Sequence, residues 1–176
     1  MAFPSLKIYP GELNDTPLGD LRFAVSALGL VAVEWAKSQP ELDKYLLRLA
    51  SQVAIDVSPR ITRLYAREIG EYLKGRRREF TFPIDWSTLK PFQRRALQAV
   101  YEIPYGETRT YADIAAQIGH PHAYRAVGRA NATNPMPLVI PCHRVIGADG
   151  KLHGYGGGEG LPTKEWLLLM EGAVMA

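Results

Sequence analysis

Two short helical segments, separated by a turn that contains glycine and proline, impose the strongest constraint on the fold of this chain. Residues 110–113, Thr-Tyr-Ala-Asp, match a capping box at a helix N-terminus. Ile114 and Ile118 then give that helix an apolar stripe. After the turn at 119–121, the pattern predicts a second helix over residues 123–132. Two helices joined in this way are typical of a helix-turn-helix, and equally of an ordinary packing corner.

The first half of the chain predicts a small sheet and two helices. Apolar residues alternate with others over 21–26, and the stretch 30–35 predicts that the strand returns as a hairpin. The many prolines and glycines among the first twenty residues predict a loop. Apolar residues at helical spacing predict two helices, over 42–49 and 61–73.

An extended segment over residues 80–89, with Pro83 in it, predicts the domain boundary. We place the N-terminal domain at residues 1–85 and the C-terminal domain at residues 86–176. The second domain begins with a helix whose apolar face includes Phe92. Together these patterns predict an α+β fold, in which a small domain of β-sheet and helices precedes a helix-turn-helix domain.

Charge and hydropathy restrict the partners. The chain has 21 Lys and Arg residues against 18 Asp and Glu residues, a formal net charge of +3. A nucleic acid would therefore be held by a few placed groups rather than by a broad cationic surface. The run Arg76–Arg78 favours a solvated helix end over a DNA contact. Because no apolar run approaches the ~20 residues of a membrane helix and no signal-peptide pattern is present, we expect no membrane partner and a cytoplasmic location.

Cys142 is the only cysteine, which excludes an internal disulfide and fits a reducing compartment. A zinc site built from His120, His122 and Cys142 would have unsuitable ligand spacing, so no metal is expected. A lone cysteine beside an apolar stretch is often a plain core residue. The apolar run 137–140 predicts such a stretch, a buried strand that leads into the sequence Pro-Cys-His-Arg at 141–144.

The residues around Cys142 nevertheless indicate a nucleophile. The thiolate is the reactive form of cysteine, and neighbouring cationic or hydrogen-bonding groups lower the pKa of a thiol. His143 can take the thiol proton directly or through a water, and Glu171 on a late helix can orient that histidine. These three are the candidate catalytic residues. The same relay would serve a hydrolase, a thiol transferase or an alkyl acceptor.

The sequence IPCHRV, preceded by RAVG and NP and followed by KEWLLLMEG, resembles the O6-alkylguanine-DNA alkyltransferase family. The likeness is close over residues 80–174, and residues 17–80 resemble that family's more variable N-terminal domain. It implies a ribonuclease-H-like N-terminal domain and a winged-helix-like C-terminal domain. It also implies DNA repair by direct reversal, in which base flipping precedes irreversible transfer of an alkyl group from O6-alkylguanine or O4-alkylthymine to Cys142.

The resemblance also assigns roles to individual residues. The family's arginine finger falls on Arg125, its hinge asparagine on Asn134 and its helix-start tyrosine on Tyr111. The residues implied to contact the substrate are Tyr111, Asn134, Pro137, Val145, Tyr155 and Gly156, and those implied to contact DNA are Tyr111, Arg125, Ala126 and Arg129. No cofactor is implied, and the expected partner is double-stranded DNA containing O6-alkylguanine, bound by a monomer that can bind cooperatively.

Some features depart from the family pattern. Gly156 stands where Ser or Thr is usual, in the loop that closes over the base, so a side-chain donor is lost. Tyr124 stands where a small residue is common, and Arg129 where glycine is common. The loop at 158–163 is also longer than usual. We expect these differences to change the substrate range and not the class of reaction.

Three other functions are alternatives to alkyl transfer. A non-catalytic binder of alkylated DNA would look similar but lack the cysteine. A helix-turn-helix transcription regulator would need no nucleophile and would usually be a symmetric dimer. A cysteine hydrolase would turn over. The presence of Cys142 in this motif favours the alkyl acceptor.

Overall fold

A four-stranded mixed sheet forms the first part of the computed structural model, which describes residues 5–173. Its strands are β1 (Leu6–Leu13), β2 (Leu21–Ser26), β3 (Gly29–Trp35) and β4 (Val53–Ile55). The spatial order is β3-β2-β1-β4, in which β4 is parallel to β1 and the other neighbours are antiparallel. The hairpin predicted from the alternating residues is therefore confirmed.

The prediction of a loop over the first twenty residues is wrong for β1, which contains both Pro10 and Gly11. The N–H of Leu6 and the carbonyl of Ile8 are hydrogen-bonded on the β4 side. Pro10 faces the same side but lies past the end of β4, where its missing N–H removes no ladder hydrogen bond. Gly11 stands opposite Phe23, whose ring occupies the space that a β-carbon would need. Pro10 and Gly11 are therefore compatible with a strand at these two positions, although both residues usually favour turns.

Two helices cover the sheet, one on each face. They are α1 (Gln39–Leu49) and α2 (Pro59–Leu73), at the positions that apolar spacing predicts. Leu42 and Leu46 of α1 belong to a buried cluster with Ala24 of β2. Phe23 points to the opposite face, where its ring centroid lies 6.3 Å from that of Tyr65 on α2. The sheet is therefore buried on both faces, and its core carries no candidate catalytic group.

The extended segment 80–89 packs mostly on this first unit. The Phe82 ring lies 4.5 Å from the Tyr65 ring, centroid to centroid. Asp85 is buried and accepts a hydrogen bond of 2.5 Å from Ser26 Oγ. The chain accordingly divides into two compact units after Thr88, slightly later than the boundary expected at residue 85.

The arginine run that follows α2 has a mainly structural place. Arg77 Nε lies 2.7 Å from Glu71 Oε2, and an Arg77 Nη1 atom lies 3.6 Å from Oε1 of the buried Glu68. Arg76 and Arg78 are exposed. This arrangement favours a solvated helix end, with Arg77 fastening the last turns of α2.

The second unit contains the helix-turn-helix. Its elements are α3 (Pro91–Tyr101), β5 (Arg109–Thr110), α4 (Tyr111–Gln117), α5 (Tyr124–Ala132), β6 (Val145–Ile146) and α6 (Leu161–Met170). The predicted capping box is present, since Asp113 N–H donates to Thr110 Oγ1 at 3.1 Å and Thr110 N–H donates to Asp113 Oδ2 at 2.8 Å. Gly119, with φ +78°, makes the turn between α4 and α5. The predicted α+β fold is confirmed, and none of the helices in residues 5–173 could cross a bilayer.

The apolar run 137–140 is buried as expected, but the predicted strand is wrong because these residues form a turn. Asn134 holds the turn at both ends: its Nδ2 donates to the Ile140 carbonyl and its Oδ1 accepts from the Met136 N–H, each at 2.9 Å. Leu138 has φ +73°, which no strand residue adopts. The asparagine side chain thus takes backbone groups that a strand would give to a ladder.

Candidate active site

Cys142, His143 and Arg144 form a single buried 3-10 turn, here named the cysteine turn. Cys142 N–H donates to the Ile140 carbonyl at 2.8 Å, and Arg144 N–H donates to the Pro141 carbonyl at 2.9 Å. Cys142 is 6% exposed, and the strand β6 begins directly after the turn. Short local hydrogen bonds therefore fix three successive functional side chains with respect to each other.

Glu171, the residue after α6, binds two of these side chains. It accepts from His143 Nε2 at 2.9 Å, from Arg144 Nε at 2.8 Å and from Arg144 Nη2 at 2.9 Å. Arg144 also donates to the carbonyl of Ile103. Burial alone would raise the pKa of Glu171, but the hydrogen bonds from His143 and Arg144 hold that pKa below its ordinary value. The carboxylate is therefore ionised and can only accept, so the His143 proton is on Nε2.

The ring of His143 is fully buried, and burial lowers its pKa although Glu171 acts in the opposite direction. The imidazole is therefore neutral near pH 7, with its lone pair on Nδ1. A neutral imidazole held in one orientation can accept a proton. The network provides a positioned base whose orientation depends on Glu171.

Burial has the largest effect on the thiol and raises the pKa of Cys142. The side chain of Asn134, the positive charge of Lys164 and the backbone of the cysteine turn oppose this effect. The thiol is therefore protonated at rest near pH 7, and the nucleophile has to form by loss of a proton as the reaction proceeds. This differs from the preformed thiolate that a histidine neighbour alone would indicate.

Lys164 is a site residue that the sequence patterns did not single out. Its side chain is fully buried on α6, and Nζ donates to the Val145 carbonyl at 2.6 Å and to the His153 carbonyl at 2.9 Å. Burial lowers the pKa of Lys164 to about 8. The sequence feature that could have identified Lys164 is its helical spacing from Leu167 and Leu168, which puts a lysine on the buried stripe of a helix, where an apolar residue is usual.

Tyr111, the first residue of α4, lies near the thiol. Burial raises its pKa, and the negative charge that Cys142 carries as a thiolate raises that pKa further. The ring lies beside α5, because a β-carbon added at Gly128 would be 3.8 Å from Tyr111 Cδ1. Pro137 and Val145 are buried on either side of the cysteine in the chain. The structure thus brings Tyr111, Asn134 and Val145 to the cysteine turn or to residues that contact it.

The glycine-rich segment 154–160 crosses the end of α5. A β-carbon added at Gly156 would lie 3.4 Å from the carbonyl oxygen of Ala132. Tyr155 is half-buried and Gly156 is exposed. Glu159 N–H donates to Thr163 Oγ1 at 2.9 Å, so the far end of the segment is fixed to the first turn of α6.

Three of the four residues expected to contact DNA lie on the exposed side of α5. Arg125, Ala126 and Arg129 are exposed, while Val127 and Ala130 face the core. The Arg125 guanidinium carbon lies 5.8 Å from the centroid of the Tyr124 ring. These side chains are therefore separate from the buried thiol and available to a partner. In residues 5–173, no three His, Cys, Asp or Glu side chains cluster as a metal site.

Comparison with known proteins bears on this site directly. Residues 91–173 match the model of the 6-O-methylguanine DNA methyltransferase DNA-binding domain, which includes the whole cysteine turn. A methylated-DNA–protein-cysteine methyltransferase of Methanosarcina barkeri is 38% identical over 162 residues, 91% of this chain and 95% of the relative. The chain belongs to the methylated-DNA–protein-cysteine methyltransferase family.

Further members of this methyltransferase family agree in sequence and in structure. The Mycolicibacterium paratuberculosis member is 51% identical over 114 residues, 65% of this chain and 67% of that protein. The crystal structure of Mycobacterium tuberculosis OGT in complex with DNA matches with a TM-score of 0.72 at 35% identity, covering 96% of this chain and 92% of that chain. The family resemblance expected from the IPCHRV motif is confirmed.

Proposed function

We propose that this protein repairs DNA by moving an alkyl group from O6-alkylguanine to Cys142 in a single irreversible event. The observation that carries the proposal is the position of the only cysteine, in a buried turn beside a neutral, carboxylate-oriented histidine. Membership of a family of methylated-DNA–protein-cysteine methyltransferases supports the same chemistry.

The damaged base has to leave the DNA stack before the reaction. An alkyl carbon inside a duplex cannot be attacked in line by a thiol that is 6% exposed. Extrusion costs a few kcal/mol, and a side chain inserted into the stack offsets part of that cost. Arg125 is suited to this insertion because it is exposed in the first turn of α5. Tyr111 then contacts the extruded nucleotide near the thiol.

The reaction is a displacement at carbon. His143 takes the thiol proton, directly or through a water, and Cys142 Sγ attacks the alkyl carbon. The S–C bond forms as the C–O6 bond breaks, and the electron pair of the broken bond goes to guanine. Tyr155 donates a proton to the base, so that guanine leaves in its neutral form, and the proton that His143 took from the thiol restores the Tyr155 hydroxyl. The thioether is stable to water, and each molecule therefore acts once.

The same step applies to O4-alkylthymine, because its alkyl carbon is bonded to an equivalent exocyclic oxygen. All the reacting side chains come from one chain, which supports a monomer as the active species on double-stranded DNA. The five groups that the proposal needs are the thiol, its base, the proton donor Tyr155, the inserted arginine and the aromatic contact.

Intact mass measurement after incubation with a duplex containing O6-methylguanine tests the proposal. The wild-type protein should gain one methyl group per chain and keep it, and Cys142→Ala should gain none while still binding the duplex. A His153→Ala variant, changed at an exposed histidine outside the cysteine turn, should react like the wild type. Turnover without a mass gain would indicate a hydrolase, and binding without reaction a sensor or regulator; either result would overturn the proposal.

A further inference from the structure

Asn131, on the last turn of α5, is a buried amide without a hydrogen-bond partner among residues 5–173. It is 9% exposed, and neither Oδ1 nor Nδ2 is paired within that part of the chain. Most buried side-chain amides in folded proteins are hydrogen-bonded, because an unpaired buried polar group costs stability. An amide that is kept unpaired in this way is a candidate for binding a ligand.

The neighbours of Asn131 place it at the alkyl-acceptor site. Gly128, three residues earlier on α5, lies beside the Tyr111 ring. Asn134, three residues later, lowers the pKa of the Cys142 thiol through its side-chain hydrogen bond. Residues three apart share one face of a helix, and the Asn134 N–H donates to the Asn131 carbonyl at 3.1 Å, so this spacing continues past the end of α5. Asn131 therefore shares a helix face with one residue beside the Tyr111 ring and precedes, at the same spacing, one that hydrogen-bonds the thiol.

We propose that Asn131 determines substrate specificity by hydrogen-bonding a hydroxyl group on the alkyl substituent, such as that of O6-(2-hydroxyethyl)guanine. This inference rests on the proposed alkyl transfer to Cys142. Asn134 is at the sulfur, where the transferred carbon arrives, and Asn131 is three residues earlier, which at helical rise is about 4.5 Å along the axis. The more distant end of a short substituent, rather than its first carbon, falls beside Asn131.

The chemistry of the amide favours a hydroxyl over other groups. A carboxamide offers one acceptor and two donor hydrogens, and a hydroxyl both donates and accepts, so the two can pair. A carboxylate on the substituent would call for a cation, but Lys164 already donates to the carbonyls of Val145 and His153. An alkyl chain would leave the amide unpaired. The transfer step is unchanged: the S–C bond forms, the C–O6 bond breaks and the thiol proton ends on guanine.

The experiment compares three duplexes, which contain O6-methylguanine, O6-n-propylguanine or O6-(2-hydroxyethyl)guanine. The last two substituents have the same number of heavy atoms and differ only in the terminal group. Rate constants are measured by intact mass for the wild type, for Asn131→Leu and for Thr133→Val. Thr133→Val is the matched control, a similar loss of a polar group on an exposed residue at the end of the same helix. Asn131→Ala serves in place of Asn131→Leu if that variant does not fold.

In Asn131→Leu, the ratio of the hydroxyethyl rate to the propyl rate should fall about tenfold, as expected for one lost hydrogen bond in a buried site. Methyl transfer should stay within about twofold by the same reasoning, and the control should match the wild type. The melting temperature should rise by roughly 2–4 °C, because an unpaired amide is replaced by an apolar group of similar size.

Several results would overturn the inference. An equal loss for all three duplexes would mean that Asn131 contacts the base itself, and an unchanged ratio would mean that it contacts no hydroxyl. A lower melting temperature for Asn131→Leu would show that the amide is structurally paired, for instance by a buried water. Failure of the wild-type protein to accept even a methyl group would instead refute the proposed function, so the two failures are distinguishable.

Discussion

Replacement of Glu171 by glutamine should destabilise the protein far more than an ordinary loss of one surface charge. The carboxylate accepts three hydrogen bonds of 2.8–2.9 Å from His143 and Arg144, and the residues Glu171 and Arg144 are each only 6% exposed. Glutamine keeps the shape but leaves the guanidinium charge buried and uncompensated. Breaking a buried pair in this way costs about 3–5 kcal/mol, a large share of a typical free energy of unfolding.

Urea unfolding, followed by tryptophan fluorescence, measures this effect. With a slope of about 2 kcal/mol per molar urea, the midpoint should fall by roughly 2 M in Glu171→Gln. Glu107→Gln is the matched control, because Glu107 pairs with Arg109 at 2.8 Å while the two side chains are 50% and 43% exposed. That change should cost no more than about 1 kcal/mol. Equal midpoints for the two variants would refute a dominant role for the buried network.

The pH dependence gives a second measurement. The pKa of Glu171 is lowered in the folded state, whereas the pKa of a glutamate in the unfolded chain is about 4.3. Its contribution to stability is therefore complete above that pH and is lost as the pH falls toward the folded-state pKa. Wild-type protein should lose stability below about pH 4 more steeply than Glu171→Gln, since glutamine does not titrate. Parallel curves in acid would contradict this account.

Three further predictions concern the reaction. Arg125→Ala should slow repair of duplex DNA at least tenfold more than reaction with free O6-benzylguanine, which needs no extrusion; the exposed Arg63→Ala should slow neither, and equal slowing of both substrates would assign Arg125 a structural role. His143→Ala should shift the pH profile of alkylation to higher pH, because the thiol loses its base; the control His153→Ala should leave the profile unchanged, and an unchanged profile for His143→Ala as well would refute the relay. Gly156→Ser should strengthen binding of methylguanine without abolishing benzyl transfer, and amide exchange over 154–158, before the fixed end of the segment, should be fast in the free protein; slow exchange there, together with no reaction toward benzylguanine, would contradict the pliable loop.

Features with a local cause could be predicted from the sequence. The capping box of Thr110 and Asp113 and the turn at Gly119 depend on residues a few positions apart, so their pattern is sufficient. The link between His143 and Glu171 spans 28 residues and was found only because the residue types suit each other chemically. The resemblance to the family, rather than spacing alone, identified what the cysteine reacts with.

Features with a non-local cause were missed. The strand over Leu6–Leu13 depends on where β4 ends and on the Phe23 ring, neither of which is visible in the local pattern around Pro10. The buried turn at 137–140 depends on hydrogen bonds from Asn134, whose side chain could equally have faced solvent. Burial that determines the pKa of Lys164 and Cys142 likewise comes from the whole fold.

Side chains on one face of α6 and at its C-terminal end bind the cysteine turn and the start of β6. Lys164 and Glu171 are seven residues apart, close to two turns of α6, and they bind Val145, Arg144 and His143 in reverse chain order. A single inserted residue between them would rotate one relative to the other by about 100° and detach either the charge network or the lysine. Insertions within 154–160 have no such effect, because that segment precedes the helix. Length changes in related chains should therefore accumulate before α6 and be absent within it.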